Sequence, residues 1–273
     1  MNKHLDEVEF TIFDTETTGL EPQSGDRIVE IAGIRFKGKE KIATFQSLIN
    51  PHRPICAAAQ RVNKITPEML EGAPTIDVIL PRFLGFIKNS CLCSYNAAFD
   101  LEFLNHELKL MGESTLDDMM VVDILKMARR LLPGLERYAL SSVAGALGIK
   151  TEQRHRALSD VELTLETFNR LNVILKTKEI FDFSNFFSLF GLTFNLLEDI
   201  NSQKIAKIQE ALGLGVKLKI RYLSNSSAQV TEREVIPKEI RKDKNLLYLV
   251  GFCCLRNEER SFRIDGILHL EIL

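Results

Sequence analysis

Val8 to Asp14 (VEFTIFD) and Arg27 to Phe36 (RIVEIAGIRF) are rich in β-branched and aromatic residues, and Ile42 to Ile49 continues the series. These runs predict three early strands joined by tight polar turns. The spacing then changes to that of a helix. Between Thr75 and Lys88, apolar side chains at Ile76, Ile79, Leu80, Phe83, Phe86 and Ile87 form the stripe of an amphipathic helix. Cys91 to Tyr95 predicts a short buried strand and Ala98 to Met111 the helix after it. Leu140 to Leu147 and Ala157 to Leu175 predict two more helices. Strands first, with helices alternating later, predict an α/β domain with a mixed sheet over residues 1–175.

From 176 to 204 the pattern changes again. Phe181, Phe183, Phe186, Phe187, Phe190 and Phe194 lie in this stretch, the last five at steps of 3, 1, 3 and 4. That spacing predicts a helix face. It serves either a connecting helix docked on a neighbouring domain or a surface for a partner, including a second copy of the chain. From Val216 onward the period becomes two, in VKLKIRYL, TEREVIP, LLYLVGFCCL and RSFRID, with turn-prone SNSS and KDKN between. Residues 205–273 are therefore expected to form a small all-β module.

Composition narrows the class. The chain has 273 residues, 45% hydrophobic and 26% charged, which excludes disordered and fibrous proteins. No segment approaches the roughly 20 apolar residues that span a bilayer, and the N-terminal stretch carries acids where a signal peptide is apolar, so a cytoplasmic, membrane-free protein is expected. The five cysteines at 56, 91, 93, 253 and 254 lack zinc-site spacing and read as reduced thiols. The net charge of −2 conceals a small asymmetry, because residues 205–273 carry 12 Lys and Arg against 9 Asp and Glu. An acidic first domain that meets a polyanion needs metal to neutralise its site, whereas a basic neighbour can hold phosphate directly.

Candidate chemistry centres on five residues: Asp14, Glu16, Asp100, His155 and Asp160. Asp14 and Glu16 lie two apart at the end of an apolar strand, so both side chains share a face. Two carboxylates held that close repel unless a cation lies between them, which favours Mg²⁺ or Mn²⁺. The plainer reading is a strand ending in a polar turn. Asp100 opens a helix, where an acid either caps backbone N–H groups or leans over the ends of the strands. His155 precedes the Ala157 helix and Asp160 projects from its first turns, so both reach one cleft. Taken singly, they are also an ordinary loop histidine and a helix N-terminal acid.

In order and combination, Asp14-x-Glu16, Asp100, and His155 with Asp160 resemble the three motifs of the DnaQ-like (DEDDh) 3′ to 5′ exonucleases. VNKITPEML at 62–70 and VVDILKMARRLLPGLERYALSSVAGALGI at 121–149 agree, and the likeness covers residues 8–175. The resemblance implies an RNase H-like fold and release of nucleoside 5′-monophosphates from a 3′ end with two divalent ions. Asp14 would bridge the ions, Glu16 and Asp160 would complete the first shell, and Asp100 would hold the second ion. His155 would take the proton of the attacking water. Thr17, Gly19 and Leu20 would line the terminal nucleotide, with Asn63, Asn96 and Phe99 nearby; Phe99 is equally readable as core.

The C-terminal strands resemble a WYL domain. Its tripeptide is Leu247-Tyr248-Leu249 here, and Gly266 stands where an arginine is usual. Arg233, Arg256, Arg260 and Arg263 are candidates for phosphate contact, or else surface residues in ordinary ion pairs. The expected partners are single-stranded or frayed 3′ ends of DNA, then RNA, and a DNA polymerase or another replication or repair protein. The competing readings are an RNA-directed exoribonuclease and a regulator that binds nucleic acid without cutting it.

Overall fold

The computed structural model describes residues 3–150, 155–244 and 246–273. Its first half builds β1 (Glu9–Thr17), β2 (Ile28–Lys37), β3 (Glu40–Leu48), the short helices α1 (Ala57–Asn63) and α2 (Pro67–Leu70), and α3 (Ile76–Ile87). Then come β4 (Cys91–Ser94), α4 (Ala97–Leu110), β5 (Val121–Asp123), α5 (Ile124–Leu131), α6 (Leu140–Ala146) and α7 (Ala157–Thr177). The five strands lie in the order β3-β2-β1-β4-β5. β1 to β3 are antiparallel neighbours, whereas β1, β4 and β5 run parallel. The sheet is mixed, as the strand-then-helix pattern predicts. β5 carried no separate sequence signal, because a three-residue strand is too short to show a period, whereas α5, with Ile124, Met127, Ala128 and Leu131 at helical spacing, was legible and not singled out.

Both faces of this sheet are covered. Phe10 and Ile12 of β1 pack with Phe168 and Leu171 of α7, while Phe13 meets Ile79, Phe83 and Phe103 from α3 and α4 on the other face. Even-numbered residues of β1 therefore point to α7 and odd-numbered ones to α4.

The phenylalanine-rich stretch is not one helix. It divides into α8 (Phe183–Phe190) and α9 (Phe194–Leu214), and the break falls at Gly191–Thr193. At Gly191 the backbone turns so sharply that an added Cβ would lie 2.6 Å from the Phe187 carbonyl oxygen. The steps of 3, 1 and 3 hold through Phe190, and the step to Phe194 crosses into the next helix. Phe183, Phe186, Phe187 and Phe190 are buried in the same core as β1, with the Phe186 ring 5.8 Å from Phe10 and 6.1 Å from Phe168. That face is occupied inside the chain.

α9 continues through position 205 and leads to a second sheet: β6 (Leu218–Leu223), β7 (Val230–Asp243), β8 (Leu246–Cys253), β9 (Glu258–Arg263) and β10 (Ile267–Ile272). Their order is β10-β6-β7-β8-β9, antiparallel throughout. Ile208 and Ala211 of α9 cap the core of that sheet. A single 3-10 turn, Ile264–Gly266, joins β9 to β10 beside α8. All five cysteines are free. Among the described residues, no helix is long and apolar enough to cross a membrane.

Candidate functional site

β1 lies between β2 and β4, so hydrogen bonds on both edges fix its backbone. Its last even-numbered residues, Asp14 and Glu16, project on the α7 side just beyond the packed Phe10 and Ile12. Asp160, in the first turn of α7, faces them. One carboxylate oxygen from each of the three lies within 4.8 Å of the others. Asp100 is outside that group. From α4 it leans over the end of β4, where Oδ1 accepts from the Thr15 N–H (3.0 Å) and Thr15 Oγ1 (2.7 Å), and Oδ2 accepts from Ser94 Oγ (2.6 Å). His155 occupies the loop before α7 in the left-handed region (φ 52°). Its Nδ1 lies 3.9 Å from Asp160 Oδ2, and its side chain is 47% exposed.

Asp14, Glu16 and Asp100 resist ionisation. Burial first, then the charges of Asp100, Glu16, Asp160 and Glu30, raise the Asp14 carboxyl well above the usual carboxylate range. Glu16 is pushed up to about 8 by burial and by Asp160, Glu30 and Asp100, with Arg156 opposing. Burial lifts Asp100 to about 6 against the hydrogen bonds from Ser94 and Thr15. Groups of one sign gathered in a partly dry cleft raise one another's affinity for a proton, or for a metal cation in its place.

Two participants escaped the sequence reading. Glu30 stands opposite Glu16 in the β1–β2 register and is wholly buried. It accepts from Arg156 Nε (3.0 Å) and Nη2 (2.9 Å), from Gln46 Nε2 (3.0 Å) and from the Ala157 N–H (3.1 Å). Burial would raise this carboxyl, but the bonds from Arg156, Gln46 and Ala157 together hold it below the usual range. The pair clamps the start of α7 to the sheet, and with it His155 and Asp160. An acid in the apolar run RIVEIAGIRF, and an arginine directly after His155, were the available signals.

The residues expected to line a nucleotide fall on two sides of the acids. Thr17 ends β1, its Oγ1 donating to the Gly19 carbonyl (2.5 Å), and Asn63 Nδ2 donates to the Thr17 carbonyl (3.3 Å). Leu20 is 74% exposed. Gly19 does permit a close approach, but by the Asp26 carboxylate, whose Oδ2 would lie 2.2 Å from an added Cβ. On the α4 side, Asn96 caps the helix at φ 69°, its N–H donating to Asp123 Oδ1 (3.1 Å). Phe99 is half-buried, its ring 5.0 Å from that of Phe103.

The four C-terminal arginines do not share one place. Arg233, Arg256 and Arg260 line a cavity of about 730 Å³ together with Ser226, Ser227 and Tyr222. Arg263, three residues beyond Arg260 and so on the opposite face of β9, pairs with Asp265 instead.

Two family profiles match separate parts of the chain. The profile of the exonuclease family matches residues 11–168, and that of the WYL domain matches residues 203–272. DNA polymerase III subunit epsilon of Treponema pallidum is 42% identical over 166 residues, 60% of this chain and 76% of that protein. A DNA polymerase III subunit epsilon-like protein of Rhodobacter capsulatus is 37% identical over 202 residues, 72% of this chain. The chain spans only 28% of that relative's length. Among solved structures, E. coli exonuclease I in complex with a dA16 oligonucleotide superposes with a TM-score of 0.60 at 19% identity, over 90% of this chain and 55% of that one. That likeness is one of fold, and its coverage takes in both sheets. The chain belongs to the exonuclease family, with the mixed α/β fold of RNase H-like nucleases and a WYL domain at its C-terminal end.

Proposed function

We propose that this chain is a metal-dependent 3′ to 5′ exonuclease that removes nucleoside 5′-monophosphates from single-stranded DNA ends. The observation that carries the reading is the convergence of Asp14, Glu16 and Asp160 carboxylates within 4.8 Å, with Asp100 and His155 on either side. The donor set fits hard divalent cations, which take oxygen ligands, and the raised carboxyls of Asp14 and Glu16 mark a place where positive charge is wanted. Asp14, Glu16 and Asp160 would hold one Mg²⁺ or Mn²⁺, and Asp14 with Asp100 a second. Bound there, such ions lower the pKa of a water and stabilise charge on a leaving 3′ oxygen.

The chain's own residues do the rest. His155 accepts the proton of the attacking water, its Nδ1 lying 3.9 Å from Asp160 Oδ2. Thr17, Gly19, Leu20 and Asn63 border the terminal nucleotide on one side, and Asn96 and Phe99 border it on the other, with Phe99 offering a ring edge to the base. Unstacking a terminal base from a duplex costs roughly a few kcal/mol, so single-stranded ends enter more readily. The exonuclease I complex with an oligonucleotide supports that substrate class, and the epsilon-subunit relatives support association with a DNA polymerase. In the WYL domain, Arg233, Arg256 and Arg260 hold phosphates of the strand or of a regulatory nucleotide.

Oligonucleotides labelled at the 3′ or the 5′ end, as DNA and as RNA, incubated with Mn²⁺, test this directly. The 3′ label should be released at once as mononucleotide while the 5′ label shortens stepwise. No mononucleotide at any metal concentration would leave a binding protein. Faster digestion of RNA would overturn the choice of DNA.

A further inference from the structure

At the seam between the two sheets, α5 and the end of β9 enclose a cavity of about 400 Å³ lined by Asp123, Lys126, Arg129, Arg130, Asn225 and Arg263. Four of the six are cations. The carboxylates nearby are already engaged. Asp123 Oδ1 accepts from the Leu125 and Asn96 N–H groups at 2.9 and 3.1 Å, and Asp265 is shared by Arg130 (3.4 Å) and Arg263.

Arg130 is only 5% exposed, yet its Nε has no hydrogen-bond partner, and the same holds for Asn225 Oδ1. A buried charged donor without an acceptor is costly and uncommon. Its position is also built deliberately. A Cβ at Gly266 would lie 2.6 Å from Arg130 Nη2 and 2.7 Å from Tyr222 Cε2, so the glycine in the 3-10 turn leaves room for a guanidinium arriving from the exonuclease domain. Burial, with Arg263 and Arg130 adding to it against Asp265, pulls the Lys126 ammonium below its ordinary range. A bound anion would accept from Arg130 Nε and favour the charged form of Lys126, whereas Asn225 Oδ1 needs a donor such as a water of the anion's shell.

The cavity also lies along the catalytic rim. Asp123 pairs with Ser94 in the β4–β5 register, and Ser94 in turn donates to Asp100. β5 is two strands from β1, or about 10 Å, a span that a single strand crosses within the few nucleotides next to its 3′ end.

We propose that this seam is a phosphate-binding subsite in which Lys126, Arg129, Arg130 and Arg263 grip the strand a short way before the 3′ end held by the acids. The assignment rests on the nuclease reading above and adds a contact contributed by both domains. The same chemistry would accept the phosphate of a free nucleotide, and the experiment separates the two.

The variants are Arg129→Gln, on the exposed side of the cavity, and Lys126→Gln, each checked by its melting curve. Binding of a 5′-fluorescein oligothymidylate in EDTA is followed by anisotropy against salt. Each variant should flatten the slope of log K against log[salt] by about 0.7, one single-strand phosphate contact. With Mn²⁺, KM for the oligonucleotide should rise. Hydrolysis of the p-nitrophenyl ester of thymidine 5′-monophosphate, too short to reach the seam, should be unchanged. An unaltered slope and KM in both folded variants overturns the strand assignment. If dAMP stabilises the wild type but not the variants while the slope is unaltered, the phosphate is that of a free nucleotide. If dAMP shows no such difference either, there is no subsite. If the wild type hydrolyses neither substrate, the nuclease reading fails, and the slope measured in EDTA still decides the subsite.

Discussion

Replacing Glu16 by glutamine should stabilise the metal-free protein by an amount that grows with pH. In the folded chain this carboxyl is pushed from 4.5 to about 8 by burial and by Asp160, Glu30 and Asp100. A raised folded-state value means that the folded protein keeps a proton that the unfolded chain releases. The contribution is intact below pH ~4.5 and is lost progressively as the pH climbs to about 8. Linkage puts the loss at about 3 kcal/mol by pH 7. The glutamine side chain is nearly the same size and has no such proton to keep. At roughly 2–4 °C per kcal/mol for a chain of this size, the variant should melt about 6–12 °C above wild type at pH 7 in EDTA. At pH 4 the two should coincide. Excess Mn²⁺ should narrow the gap at pH 8, since a cation at 100 times its Kd adds about 2.7 kcal/mol to the wild type and less to a variant short of one ligand. The assay is a set of melting curves from pH 4 to 8.5, with and without metal. The difference between the two proteins reports position 16 together with its effect on the neighbouring Asp14 carboxyl. A gap that stays constant with pH, or a variant no more stable than wild type at pH 7.5, would refute the account of this site as a cluster of repelling acids.

Three further outcomes probe other parts of the molecule. His155→Ala should lower kcat by about 10² to 10⁴ while leaving the melting temperature alone, because the side chain is half exposed; a near-normal single-turnover rate would remove histidine from the chemistry. Glu30→Gln should cost about 1–3 kcal/mol by loosening Arg156 from the sheet, and hydrogen exchange at the Ala157 amide should speed up with it. Unchanged protection there would mean that the clamp does not hold the start of α7. Phe186→Ala should destabilise by about 3–5 kcal/mol, since the ring is fully buried against Phe10 and Phe168. A loss below about 1 kcal/mol in a urea titration would show that the site strand does not depend on this aromatic joint.

What could be read from the chain was whatever a short-range period encodes. The alternation in VEFTIFDTET placed Asp14 and Glu16 on one face, and the helical spacing after Ala157 placed Asp160 in a first turn. Both are local consequences of backbone geometry, and both hold. Relations between distant segments left no such trace. Glu30 and Arg156 are 126 residues apart and meet only because β2 lies under α7. The break between α8 and α9 was hidden because its cause is a close contact at Gly191, while the phenylalanine spacing runs on past it. Likewise, Arg260 and Arg263 look like one basic group in EERSFRID, but a step of three along a strand sends them to different cavities.

The placement of the acids explains how a folded protein keeps charges that repel. Freed from restraint, Asp14 and Glu16 would turn away from each other and from Asp160. β1 cannot yield, because Phe10 and Ile12 anchor its α7 face and Phe13 its α4 face, all nearly inaccessible to solvent, while β2 and β4 hold both edges. Asp160 cannot retreat either, since Glu30 ties the first residues of α7 to the same sheet. The strain is confined to a few side chains at one rim, and the apolar core beneath supplies the stability that offsets it. A cation entering the rim then meets ligands already in place, so little of its binding free energy is lost to ordering them. The seam with the WYL domain repeats this logic with the opposite sign. Arg130 is held beside Gly266 by the same packing of two sheets, so an anion entering there would likewise meet a group already in place.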